Sequence, residues 1–277
     1  MIYLANLFSQ LFYFVISIGI IGFIIYLLNV LFYRLVGNGR VVCYASGLIG
    51  TPIHELSHAL MCLIFRHKIE EIKLYQMDDS SGTMGYVSHS YNTKSFYQRI
   101  GCFFIGVAPI IGGSLVIHLL MRLLLPDEYE VISIYLDDFS LLLKDGFSFD
   151  IFAYSFAVMT ESLEVIFTSF DKGLYCIVFL ILGACIALHM KLSGADIKNA
   201  LPAIPGIVLI IAIVNGIFAI ISIFSMKTYY LICSAVNSVG VYLFALLLLS
   251  LCLTLICIAI AFVIKGITSI IGAISRR

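Results

Sequence analysis

The chain has 277 residues, 62% of them hydrophobic and 12% charged, and its 16 basic and 16 acidic side chains leave no net formal charge. This composition lies outside the soluble range and inside the membrane class. The even charge balance and the absence of a nucleic-acid motif argue against a nucleic-acid partner. Eight cysteines without a CxxC pair read as small buried hydrophobes rather than a disulfide framework.

A span needs about 20 apolar residues. The first candidate, 11–33, lacks the Lys/Arg-rich start of a secretory signal and is too long for a signal core, so it reads as a retained span. Further candidates fall at 42–66, 100–125, 173–190, 203–226 and 241–264, giving six crossings, of which the fourth is the shortest. Between the second and third, Ile72 and Leu74 alternate with polar or basic neighbours. The turn residues DDSSG then precede Met84, Tyr86 and Ser88, a hairpin pattern.

Segment 126–171 carries ten acids and one base, Lys144, and reads as a solvated outer loop with an amphipathic helix in FDIFAYSFAVMTESLEVIF. With the N-terminus inside, ten Lys/Arg face the cytoplasm, including Arg66, Lys68, Arg276 and Arg277, against six outside. No repeat or flexible linker divides the chain. The expectation is a single all-α polytopic domain, 1–277, with about six transmembrane helices and one small β-hairpin. It would be a multi-pass protein of the cell membrane with both termini cytoplasmic.

The second span contains TPIHELSHALM at 51–61. On a helix, His54 and His58 project from one face one turn apart, a separation suited to sharing one metal ion. Glu55 stands beside them as a base toward attacking water, the division of labour in HExxH metalloproteases. Ionisable groups at span depth cost a few kcal/mol each, about, so three within five positions need compensation. His58 precedes Arg66 by eight residues, about 12 Å of helix, which puts the site inside the membrane. Gly47 and Gly50 lie on the same face and leave room for a helix, a substrate or the site. Thr51–Pro52 either caps a helix or bends a longer one, and Cys62, one turn past His58, reads as a packed thiol.

Two histidines do not complete a catalytic zinc site, which takes three protein ligands. Asp196, in SGADIKNALPAIP, is the first candidate for the third. Its alternative is a place in the first turn of a helix capped by Ser193. His189 is the competing ligand, while His118 reads as a packing donor, and His67 and His89 as interfacial.

HELSH at 54–58, GTMGYVSHSYN, FFIGVAPIIGG at 103–113 and SGADIKNAL at 193–201 together resemble the site-2 protease family of intramembrane zinc metalloproteases, over roughly residues 42–205. Where that family has an Asp-Gly pair, this chain has Asp196–Ile197. The resemblance implies Zn2+ held by His54, His58 and Asp196, with Glu55 as general base. The reaction implied is hydrolysis of peptide bonds in or near transmembrane segments of membrane proteins, with the lipid bilayer as surroundings. A substrate helix must unwind before its carbonyl can be attacked, and an extended segment added to the hairpin edge would satisfy the freed backbone groups. The alternatives are a zinc-binding scaffold without catalysis and a divalent-metal transporter. The second predicts polar residues along several spans, and spans one and six contain almost none.

Overall fold

A computed structural model of the chain describes residues 2–36, 39–77, 83–143 and 146–274. The expected turn at 78–82, the charges Lys144 and Asp145, and the termini Arg276 and Arg277 lie outside the described residues. The fold is all-α and polytopic with one small antiparallel hairpin. Helix α1 (Ile2–Leu11) passes through a π-helical segment, Phe12–Ile16, into α2 (Ser17–Leu35), and α3 (Gly39–Ile64) follows. Strands β1 (Lys68–Lys73) and β2 (Tyr86–Ser90) pair with Ile72 opposite Val87 and Lys73 opposite Tyr86. The rest is helical: α4 (Phe96–Leu124), α5 (Pro126–Leu143), α6 (Ile151–Thr168), α7 (Leu174–Ala187), α8 (Gly194–Ala200), α9 (Ile204–Phe224) and α10 (Met226–Ile274).

Among the described residues, five stretches are long and apolar enough to cross a membrane: Ile2–Leu35, Phe96–Leu124, Ile151–Lys172, Gly194–Phe224 and Met226–Ile271. They differ from the six expected spans in three places. Helix α3 is not among them, its apolar character diluted by the two histidines and the glutamate it carries. The expected fourth span shrinks to α7, whose 14 residues extend about 21 Å, short of a hydrocarbon core about 30 Å thick. The acidic segment expected to be a solvated loop with one amphipathic helix carries that helix as α6 but adds a second, α5, and the two pack on each other and on α10. Ile132, Leu136, Phe139 and Leu143 make a buried stripe at helical spacing, while Asp137 and Asp138 stay exposed on the other face. Net acidity masked that stripe. Helix α10 absorbs 229–240 and continues for 49 residues.

Helix α3 ends in a Schellman motif. Arg66 takes a φ of 57°, the Arg66 amide donates to the Leu63 carbonyl (3.2 Å) and the His67 amide to that of Cys62 (2.8 Å). The reversal sends the hairpin back along α3, where the Tyr75 hydroxyl donates to the Tyr44 carbonyl at 2.9 Å.

Helix α4 lies at the centre, with Ile110, Ile117 and Met121 fully buried. Lipid tails are as apolar as leucine, so helices in a membrane gain by close packing and not by leaving water, and small residues set how near they come. Two glycines of the 103–113 stretch show this. A Cβ on Gly106 would stand 2.6 Å from the Asp196 carbonyl oxygen and 2.8 Å from the Ala200 Cβ, so α8 rests on bare backbone there. At Gly112 the Ser57 side chain of α3 fills the equivalent space.

Gly106→Val should force α8 outward and cost about 1–3 kcal/mol through overpacking. Gly216→Val, where nothing lies within 4 Å of the new Cβ, should leave stability nearly unchanged. Thermal unfolding of the two variants in one detergent checks the contrast.

Candidate metal centre

Pro52 sits inside α3 rather than at its start, so the motif occupies the middle of a continuous helix. Glu55 and His58 are buried and His54 is half-buried. Each imidazole is held by a backbone carbonyl: His54 Nδ1–H donates to the His189 oxygen and His58 Nδ1–H to the Ile105 oxygen, both at 2.7 Å. A carbonyl can only accept, so the proton of each neutral ring resides on Nδ1 and each Nε2 presents a lone pair. Those two Nε2 atoms face one another at 3.1 Å. Two lone pairs at that distance repel unless a proton or a cation lies between them.

Asp196 brings the third donor. Its Oδ1 is 3.2 Å from His58 Nε2 and its Oδ2 is 3.9 Å from His54 Nε2. The same residue closes a capping box on α8: the Ser193 amide donates to Oδ2 at 2.6 Å, and the Asp196 amide donates to Ser193 Oγ at 3.1 Å. Helix cap and convergent donor, alternatives from the sequence, therefore coexist, one on each oxygen.

His54, His58 and Asp196 each offer a ligand atom, all within 4.8 Å of one another. Ligands about 2.0–2.1 Å from a tetrahedral ion stand about 3.3 Å apart, close to the separations found. The donor set, two imidazole nitrogens and a carboxylate oxygen, fits a first-row divalent ion, and the carbonyls behind each ring are the outer partners such ligands require.

Glu55 lies beside this group without a hydrogen bond to its carboxylate among the described residues. Gly85 of the hairpin packs against it, since a Cβ there would come within 2.9 Å of Glu55 Cγ and 2.7 Å of Thr51 Cγ2. A cavity of about 320 Å³ opens over the centre, lined by His54, Glu55, His58 and Asp196 and also by Tyr86, Val87, His89, Ile105 and Asn199.

The other expected residues fall elsewhere. The His189 ring bonds Ser46 Oγ (2.9 Å) and reaches Thr51 Oγ1 (3.4 Å), so it contributes its carbonyl to the centre and not its side chain. Gly50 lets the chain at Cys185 and His189 approach α3, and Gly47 makes room for Met84 and Tyr75. Cys62 is fully buried and outside the cluster. His118 donates to the Ser114 carbonyl within its own helix at 3.0 Å.

His89, read as interfacial, lines the cavity, and its alternation with Val87 and Gly85 on one strand face was the available signal. Burial, and after it the nearby His67 and His58, holds the pKa of the His89 imidazole below its ordinary value. The Ile105 carbonyl left one trace in the sequence, since Pro109 four residues on has no N–H to bond it within α4; the His189 carbonyl left none. Comparisons with protein-family models, curated proteins and solved structures find no match.

The contact between hairpin and Glu55 helix is testable by crosslinking in a background with the native cysteines replaced by serine. The pair Thr51→Cys/Gly85→Cys should form an intramolecular disulfide. Thr51→Cys/Ser90→Cys, with the second cysteine about 16 Å further along the strand, should not. Gel mobility with and without reductant reads the outcome.

Proposed function

We propose that the chain is an intramembrane zinc endopeptidase that hydrolyses peptide bonds in or near the transmembrane segments of other membrane proteins. The observation that carries this reading is the convergence of His54 Nε2, His58 Nε2 and the Asp196 carboxylate, with Glu55 alongside, under a cavity inside a bundle of apolar helices. In this reading His54, His58 and Asp196 hold the ion. Zinc, when bound, supplies Lewis acidity toward water and toward a peptide carbonyl.

The chain's own groups do the rest. Glu55 takes a proton from water as the water oxygen bonds to the carbonyl carbon. It returns that proton to the nitrogen as the C–N bond breaks, giving a carboxylic acid and an amine. The His189 and Ile105 carbonyls hold the two rings with Nε2 inward throughout. The proposal includes residence in the cell membrane with both termini in the cytoplasm, since that orientation puts most Lys and Arg inside.

Glu55→Gln should retain the metal and lower cleavage of a co-expressed membrane-protein reporter by about 10²–10⁴-fold. A scaffold that only holds partners would be indifferent to this change. His54→Ala and Asp196→Ala should lose both the metal, read by elemental analysis of purified protein, and the cleavage. Retention of full cleavage by Glu55→Gln would overturn the assignment.

A further inference from the structure

Among the polar groups of the cavity wall that this mechanism does not use, Tyr86, Asn199 and His89, the histidine is the one tied into a chain of further hydrogen bonds. His89 pairs with Ile69 across the hairpin and turns its ring inward, on the face shared with Gly85 and Val87. Behind it lies His67, buried, with its ring stacked on Tyr91 at 4.9 Å and an interplanar angle of 19°. His67 Nε2 contacts the Gln98 carbonyl oxygen at 2.8 Å, and His67 Nδ1 faces His89 Nδ1 at 3.1 Å.

The direction of these bonds follows from what each atom can do. The Gln98 carbonyl only accepts, so the His67 proton resides on Nε2. His67 Nδ1 is then an acceptor, and the atom facing it, His89 Nδ1, must donate. With its proton committed there, neutral His89 presents a lone pair at Nε2. His89, and not His67, is among the residues that line the cavity. Among the described residues His89 Nε2 has no hydrogen-bond partner.

From this chain of bonds we infer that His89 is a substrate-positioning residue, whose Nε2 accepts a hydrogen bond from a backbone N–H of the peptide in the cavity. The inference rests on the peptidase reading above and deepens it. A peptide segment drawn out of helical structure exposes amide protons that water can no longer reach, and each one left unpaired is costly. The carboxylates nearby are engaged, Asp196 with Ser193 and the histidines, and Glu55 with the proton it must move. His89 offers an acceptor on the hairpin wall of the cavity, and its register relative to Glu55 would select which amide of the substrate lies over the centre.

The test measures binding, not turnover. The probe is a fluorescent apolar tetrapeptide hydroxamate, which grips a metal through its hydroxamate, together with a series in which each backbone amide is replaced by an ester lacking the N–H. Fluorescence anisotropy with full-length protein in detergent gives each dissociation constant. In the wild type, one ester position should bind about 2- to 12-fold more weakly than the parent. In His89→Phe that difference should vanish, with metal content and ester affinity unchanged, and His89→Gln, which keeps an acceptor, should restore it.

An amide-to-ester ratio unaltered in His89→Phe overturns the inference, as does loss of metal in that variant. Failure of the parent hydroxamate to bind metal-loaded wild type is a different result, because it overturns the peptidase reading itself.

Discussion

Two imidazole lone pairs facing each other at 3.1 Å are the constraint around which this molecule is arranged. The arrangement is not a chance of rotamers, because the opposite edge of each ring is committed to a carbonyl at 2.7 Å. Rotating either ring to relieve the repulsion would break a buried hydrogen bond, leaving a carbonyl unsatisfied at a cost of about 1–3 kcal/mol. A cation between the nitrogens removes the conflict, and the Asp196 carboxylate supplies negative charge from the third side.

The helices that surround the centre are placed by what they lack. Bare backbone at Gly106 lets α8 seat Asp196, and bare backbone at Gly50 lets the chain after α7 bring the His189 carbonyl to His54. Gly85 does the same for the hairpin against Glu55. Three separate segments thus reach one centre through close approaches, the means of association that remains when the surroundings are as apolar as the core. The capping box adds local rigidity: Ser193 fixes Oδ2, which aims Oδ1 at His58.

Much of the site was legible because its signals are local. The four-residue spacing of His54 and His58 defines a helix face without knowledge of the fold, and Ser193 followed by Asp196 is a readable cap. Asp196 could not be separated from His189 by sequence, since the choice depends on how the chain after α7 returns to α3. Elements set by tertiary context were harder. The 126–171 segment looked solvated by its charge, although a buried stripe at 132, 136, 139 and 143 ran through it. The α3 span fell short in apolarity because of the residues that give it interest. The His67–His89–Gln98 chain joins positions 22 and 31 residues from His67, beyond any local pattern.

The central claim is that His54, His58 and Asp196 share one hydrolytic ion. X-ray absorption at the zinc edge of purified, detergent-solubilised protein tests it directly. The account predicts a shell of nitrogen and oxygen at about 2.0–2.1 Å, with the outer scattering of two imidazoles that disappears in His54→Ala/His58→Ala. A shell dominated by sulfur at about 2.3 Å, or an identical spectrum in the double variant, would contradict it.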